Sequence, residues 1–312
     1  MEVISDFAFF KNSKKVKLQN GITIEYCIHT ISYRPNFTIT TLKKTKKIIL
    51  VMGYASPQEE WKDIVSQLSK KWSRFSVDQL EILTFNNRGV GNSSFVLRPY
   101  SIYDMANDLY LLLVHLKWKK IHLIGMSMGG MIAMEFTYHY PEYISSLTLI
   151  ATTRGGFKPN LSKGSPIWRL CTNFNPLLNI HYTLLSMFPS SYLETKLPNG
   201  QLIYDILYKD RLYIHSLFPS SISGLIGHFI AIIRHYISDE RLYVIKNYRI
   251  PMLIIGAEDD DIIPIQETMI LRNLLNNPSA KTIIYKKSGH GILSQHAKDI
   301  SMEIIKLILV HR

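Results

Sequence analysis

The stretch Gly125-Met126-Ser127-Met128-Gly129-Gly130 sets a single hydroxyl between glycines. Residues 120–124 lead into it as a short apolar segment of strand type, and residues 131–140 lead out with helical period until Pro141 closes them. A serine at so sharp a strand-to-helix turn is held in a strained backbone conformation with its hydroxyl presented at the tip. Side chains two residues to either side would collide, and Gly125 and Gly129 meet that demand. The chemistry such a residue can do is nucleophilic. A serine hydroxyl is a poor nucleophile at neutral pH, so it needs a base within hydrogen-bond reach. The base in turn needs a group that fixes its tautomer and stabilises its charge.

A base is available in Ser288-Gly289-His290-Gly291, directly after an apolar strand-type segment at residues 281–286. The glycines flanking His290 let a loop bring its imidazole back over the sheet edge. Of the other ten histidines, His296 falls on the following helix and reads as structural, and His122 lies within the strand that feeds Ser127. Acids are available in Glu258, Asp259, Asp260 and Asp261, between a buried strand and a helix entered at Pro264. Most of these carboxylates suit a solvated turn at a helix N-terminus. One is expected to point inward, to Nδ1 of His290.

The elements that must position these groups follow from periodicity. Residues 21–29 form an early strand, and residues 47–52 (KIILVM) form a continuous apolar run, as in a parallel strand buried on both faces. A helix over 57–72 carries Ile64, Val65 and Leu68 on one stripe, and a strand over 80–85 leads into a glycine-rich turn over 86–94. Ser101 with Asp104 three residues on caps a helix over 101–118. The strand and helix around Ser127 come next, then a strand over 146–150. Regular alternation stops between about 157 and 247, where helical stretches rich in Ile, Leu, Tyr and Phe are broken by Pro, Gly and Ser. It resumes with strands over 250–255 and 281–286 and helices over 264–275 and 295–310. The pattern predicts an α/β fold with one doubly wound, mostly parallel sheet and an inserted, mainly helical unit: residues 1–156 and 248–312 as core, 157–247 as insertion. An insertion at that point can fold over the carboxyl ends of the strands, where open α/β sheets keep their sites.

Composition narrows the function classes. The 312 residues are 46% hydrophobic, ample for one large core. The uninterrupted apolar runs are far too short to span a bilayer, and the N-terminal order of charges is wrong for a secretory signal, so a cytoplasmic setting is expected. Two cysteines, Cys27 and Cys171, make neither a disulfide framework nor a metal cluster. Net charge is +12, from 36 basic and 24 acidic residues. The basic residues are scattered and lack a recognition module, which disfavours nucleic acid and leaves weak peripheral attraction to anionic lipid as the secondary reading.

With GMSMGG and SGHG, further motifs stand in fixed order: Val51-Met52-Gly53-Tyr54, Phe85-Asn86-Asn87-Arg88-Gly89-Val90-Gly91-Asn92-Ser93, and Tyr140-Pro141-Glu142. Together they resemble the α/β-hydrolase superfamily, in its branch of serine esterases and lipases with a helical cap, over roughly residues 20–155 and 248–312. In that fold the triad runs Ser, acid, His along the chain. The resemblance implies Ser127 as nucleophile, His290 as base, and the backbone N–H groups of Tyr54 and Met128 as oxyanion hole. Met52 and Met126 stand where relatives often carry His, and Asn86 where they usually carry Asp. The acid motif is one residue longer than usual. Counting three on from Gly256 gives Asp259, and counting four back from Pro264 gives Asp260; Asp260 is preferred and Asp259 is the alternative.

The implied activity is hydrolysis of a carboxylic ester, of a small molecule or lipid with a hydrophobic acyl or alcohol group, with no cofactor and no metal. A thioesterase or C–C bond hydrolase would use the same triad, and a non-catalytic ligand-binding protein would use the same scaffold. Serine at the turn disfavours dehalogenase and epoxide hydrolase chemistry, for which relatives carry Asp there.

Overall fold

The computed structural model describes residues 9–32, 44–156, 176–217 and 222–310. Cys171 and the expected start of the insertion at residue 157 lie outside them. The strands are β1 (Lys14–Lys17), β2 (Thr23–Ile31), β3 (Thr45–Val51), β4 (Gln79–Phe85), β5 (Ile121–Met126), β6 (Ile144–Ile150), β7 (Met252–Ala257) and β8 (Ala280–Tyr285). They form one sheet in the order β1-β2-β4-β3-β5-β6-β7-β8. β1 and β2 pair antiparallel, as do β2 and β4, and every other pairing is parallel. β1, Lys-Lys-Val-Lys, is an edge strand with its lysines in solvent, so no apolar alternation announced it.

Helices cover both faces. α1 (Lys62–Phe75) and α10 (Ile292–Val310) pack on one face, and α2 (Ile102–Leu116), α3 (Met128–His139) and α9 (Ile265–Leu274) on the other. The apolar run of β3 serves both layers, as strand alternation requires. Ile48 and Leu50 join the core under α1 and α10, while Ile49 and Val51 join the core under α2 and α3. α2 starts on a capping box: Ser101 Oγ accepts from Asp104 N at 3.1 Å, and Asp104 Oδ2 accepts from Ser101 N at 2.8 Å.

Between β6 and β7 the described residues form α4 (Pro176–Met187), α5 (Ser190–Leu193), α6 (Ile203–Leu217), α7 (Ile222–Ile233) and α8 (Asp239–Asn247). Two ion pairs, Lys62–Asp210 and Arg211–Glu60, join α6 to the turn that opens α1. α7 is apolar on every side but one. Gly224, Gly227, His228 and Ala231 face inward, while Ile222, Ile226 and Ile233 are exposed. Among the described residues no helix is long and apolar enough to cross a membrane.

Candidate active site

The candidate site residues lie at the carboxyl ends of the parallel strands, on the loops after β3, β5, β7 and β8. Ser127 sits between β5 and α3 with φ 54° and ψ −124°, a conformation that costs a residue with a β-carbon on the order of 1–3 kcal/mol. Its surroundings over-determine it. Ser127 N donates to Ile150 O at 2.9 Å, and Ser127 O accepts from Thr152 Oγ1 at 2.6 Å. The glycines are sterically obligatory. A β-carbon at Gly125 would stand 2.2 Å from Gly129 O, and one at Gly129 would stand 2.1 Å from Val51 O.

The loop after β3 passes directly beside this turn. A β-carbon at Gly53 would lie 3.1 Å from Ser127 Cβ and 3.5 Å from Ser127 Oγ, so the loop backbone passes close to the hydroxyl. Met52 O accepts from Asn87 Nδ2 at 3.1 Å, which ties the loop to the turn after β4. That turn is itself ordered by a buried network. Asn86 Oδ1 accepts from Gln58 N at 2.7 Å, and Asn86 Nδ2 donates to Glu25 Oε2 at 2.7 Å. An aspartate at position 86 would face Glu25 with a second carboxylate. The amide therefore fits this chain, whose β2 supplies an acid.

His290 lies in the loop after β8, and its Nδ1 meets Asp260 Oδ2 at 2.8 Å, with both side chains buried. Asp260 Oδ1 accepts from Ile262 N at 2.9 Å and Ile263 N at 2.8 Å. The structure thus brings Asp260 to His290. Asp259 is exposed, and its backbone N–H donates to Ser288 O at 2.9 Å. Gly289 N donates to Gln295 Oε1 at 3.0 Å and Gly291 N to Met187 O at 2.7 Å, so the imidazole loop is held from both sides. His296 stacks on Tyr285 and meets Ser288 Oγ at 2.7 Å, and His122 Nδ1 meets Ser146 Oγ at 2.8 Å. Both histidines are occupied in packing.

Sequence patterns did not reveal Thr152, Gln295 or Met187, whose contacts arise only on folding. His228 carried a faint signal, as a lone imidazole in the apolar run of α7. Among the described residues no three His, Cys, Asp or Glu side chains converge as a metal ion would need.

A family model described as the alpha/beta hydrolase fold matches residues 47–177, which include the loop after β3 and the whole turn around Ser127. The chain has the α/β hydrolase fold. Among similar proteins, a putative carbamate hydrolase RutD of Pseudomonas syringae pv. syringae (strain B728a) is 25% identical over 245 residues, covering 78% of this chain and 86% of the relative. A poly(3-hydroxyalkanoate) depolymerase of Ectopseudomonas oleovorans is 23% identical over 235 residues, covering 75% and 76%. An esterase structure from Thermogutta terrifontis superposes with a TM-score of 0.73 at 18% identity, covering 96% of this chain and 100% of the esterase. A meta-cleavage product hydrolase from Pseudomonas fluorescens IP01 gives 0.71 at 17% identity, covering 96% and 98%. Likeness at that level of identity speaks for the fold.

Proposed function

We propose that the protein is a serine hydrolase of carboxylic esters, with Ser127 as nucleophile, His290 as general base and Asp260 as the acid that orients it. The single observation that carries this reading is the 2.8 Å contact between Asp260 and His290 Nδ1, on the same sheet edge as a serine in a strained turn. With Nδ1–H donated to Asp260, Nε2 is left unprotonated, the tautomer a base needs. His290 would take the Ser127 proton as Oγ attacks the ester carbonyl. The tetrahedral oxyanion would lie against the N–H groups of Tyr54 and Met128. The protonated imidazole would return its proton to the leaving alcohol. A water, deprotonated by the same imidazole, would then release the acid from the acyl-enzyme. Oxyanion donors of this kind contribute about 3–4 kcal/mol each.

Read as a cap, the inserted helices with their apolar composition, α7 above all, favour a hydrophobic acyl or alcohol group. Among the similar proteins, the poly(3-hydroxyalkanoate) depolymerase is named for a polyester, the bond class that this reading assigns.

Labelling with a fluorophosphonate probe tests it. The wild-type protein should be labelled, and the Ser127→Ala and His290→Ala variants should not. Labelling that persists in Ser127→Ala overturns the reading. A panel of p-nitrophenyl esters of increasing acyl length then reads out the preferred acyl group.

A further inference from the structure

The residue after Tyr54 raises a separate question of support. Ala55 has φ 48°, left-handed backbone that a residue with a β-carbon adopts only when something holds it there. What holds it is not part of the sheet. Ala55 N donates to His228 Nδ1 at 3.0 Å, and His228 Nε2 meets Arg88 O at 2.7 Å. These backbone partners fix the tautomer, because an N–H can only donate and a carbonyl can only accept. Nδ1 is therefore the acceptor, and Nε2 carries the hydrogen. His228 is fully buried, between the rings of Tyr54 and Tyr100 at 6.1 Å each. Its helix can come this close because glycines face the core. A β-carbon at Gly89 would stand 2.9 Å from Gly224 Cα, and one at Gly227 would stand 2.4 Å from Tyr100 Oη. Tyr54 Oη adds a second tie, donating to Leu225 O at 3.2 Å.

We propose that His228, contributed by inserted helix α7, is a positioning residue that sets the Tyr54 N–H for the oxyanion by gripping Ala55 on one side and Arg88 on the other. This rests on the serine-hydrolase reading above. The loop from Gly53 to Ala55 is clasped between Ser127 and the imidazole, so the donor's direction is fixed jointly by the sheet and the insertion. Arg88 is a firm second anchor. Its guanidinium is locked to buried Asp108 by two hydrogen bonds of 2.6 and 2.7 Å.

Two substitutions separate the two grips. An asparagine oxygen falls near the place of Nδ1 and keeps an acceptor for Ala55. A glutamine amide falls near the place of Nε2 and keeps a donor for Arg88 O. In turnover of a p-nitrophenyl ester, His228→Asn, which gives up the Arg88 grip, should lose about 3- to 10-fold in kcat, while His228→Gln, which gives up the grip on Ala55 itself, should lose about 30- to 100-fold, with KM little changed in both. Affinity for an alkyl boronic acid, whose tetrahedral adduct occupies the oxyanion hole, should fall in parallel with kcat. Equal losses in both variants that track their thermal midpoints, or no loss in either, overturn the positioning role and leave the hydrolase reading intact. Ester turnover that survives Ser127→Ala overturns both. Nitrogen NMR of the wild-type protein gives an independent reading should either variant fail to fold. The His228 imidazole should show protonated Nε2 and bare Nδ1, and should shift when the boronate adduct forms. A resonance that the adduct leaves unmoved overturns the proposal.

Discussion

Asp260 divides its carboxylate between the backbone and His290: Oδ1 accepts the N–H groups of Ile262 and Ile263, and Oδ2 meets the imidazole Nδ1 at 2.8 Å. The division has a chemical consequence. In Asp260→Asn the two backbone donors would claim the amide oxygen, which turns the amide NH2 toward His290 and forces the imidazole into the wrong tautomer. Ester turnover should fall by about 10⁴-fold in Asp260→Asn. Asp259→Asn should stay within about twofold, since surface substitutions away from such contacts do little. Steady-state kinetics of the two variants decide the matter, and the reverse ranking would move the acid to Asp259.

Strain at Ser127 should be measurable as stability. Ser127→Ala and Ser127→Gly both lose the hydroxyl, but only glycine accepts φ 54° with ψ −124° freely. The glycine variant should be more stable than the alanine variant by about 1 kcal/mol, the relief of strain exceeding the added entropy of the unfolded chain. Chemical denaturation of the pair provides the comparison.

Gly129→Ala should do the opposite. The added methyl would stand 2.1 Å from Val51 O and 2.8 Å from Met52 O, both backbone atoms that cannot swing away. Helix propensity favours alanine by about 1 kcal/mol, but the overlap should cost about 3 kcal/mol, a net loss visible as a lowered denaturation midpoint.

Acid should destabilise the fold. Burial lowers the pKa of His29, His228 and His235 from 6.5 to about 4 and that of His122 to about 3. Each is neutral when folded, so the unfolded chain binds protons that the folded one refuses. The stability they represent is present above pH 6.5 and is lost as pH falls toward those lower values, at a limiting slope of about 1.4 kcal/mol per pH unit for each group. Glu59 works in the opposite sense. Burial raises its pKa from 4.5 to about 7, so its share is present at low pH and lost as pH rises through that window. Burial also raises the carboxyls of Glu60, Asp108 and Asp261, partly offset by Arg211 at the first and Arg88 at the second, so the four histidines carry the larger share and the thermal midpoint should drop between pH 7 and pH 5. In Glu59→Gln the drop should steepen.

Much of this was legible in the chain. Alternation of strand and helix, and the glycines around Ser127, gave the sheet and the turn because both rest on local geometry. The capping pair Ser101 and Asp104 likewise marked the start of α2 where the structure has it. β1 escaped notice because an edge strand needs no apolar face, and Val16 alone of its four residues points inward. The partners of the loops escaped for another reason. Thr152 against Ser127, Met187 against Gly291, and His228 against Ala55 are separated by 25 to 173 residues in sequence, and no spacing rule spans such gaps. The choice between Asp259 and Asp260 could not be made by counting, because it depends on which carboxylate the turn before Ile263 captures.

The inserted helices touch the site twice, at the imidazole loop through Met187 and at the loop beside Ser127 through His228. They act as a splint for both loops. Exchanging this insertion for that of another protein with the same sheet would, in the same stroke, unfasten the imidazole loop and the loop beside the serine. Grafts intended to change substrate preference would need to carry equivalents of both fastenings with them.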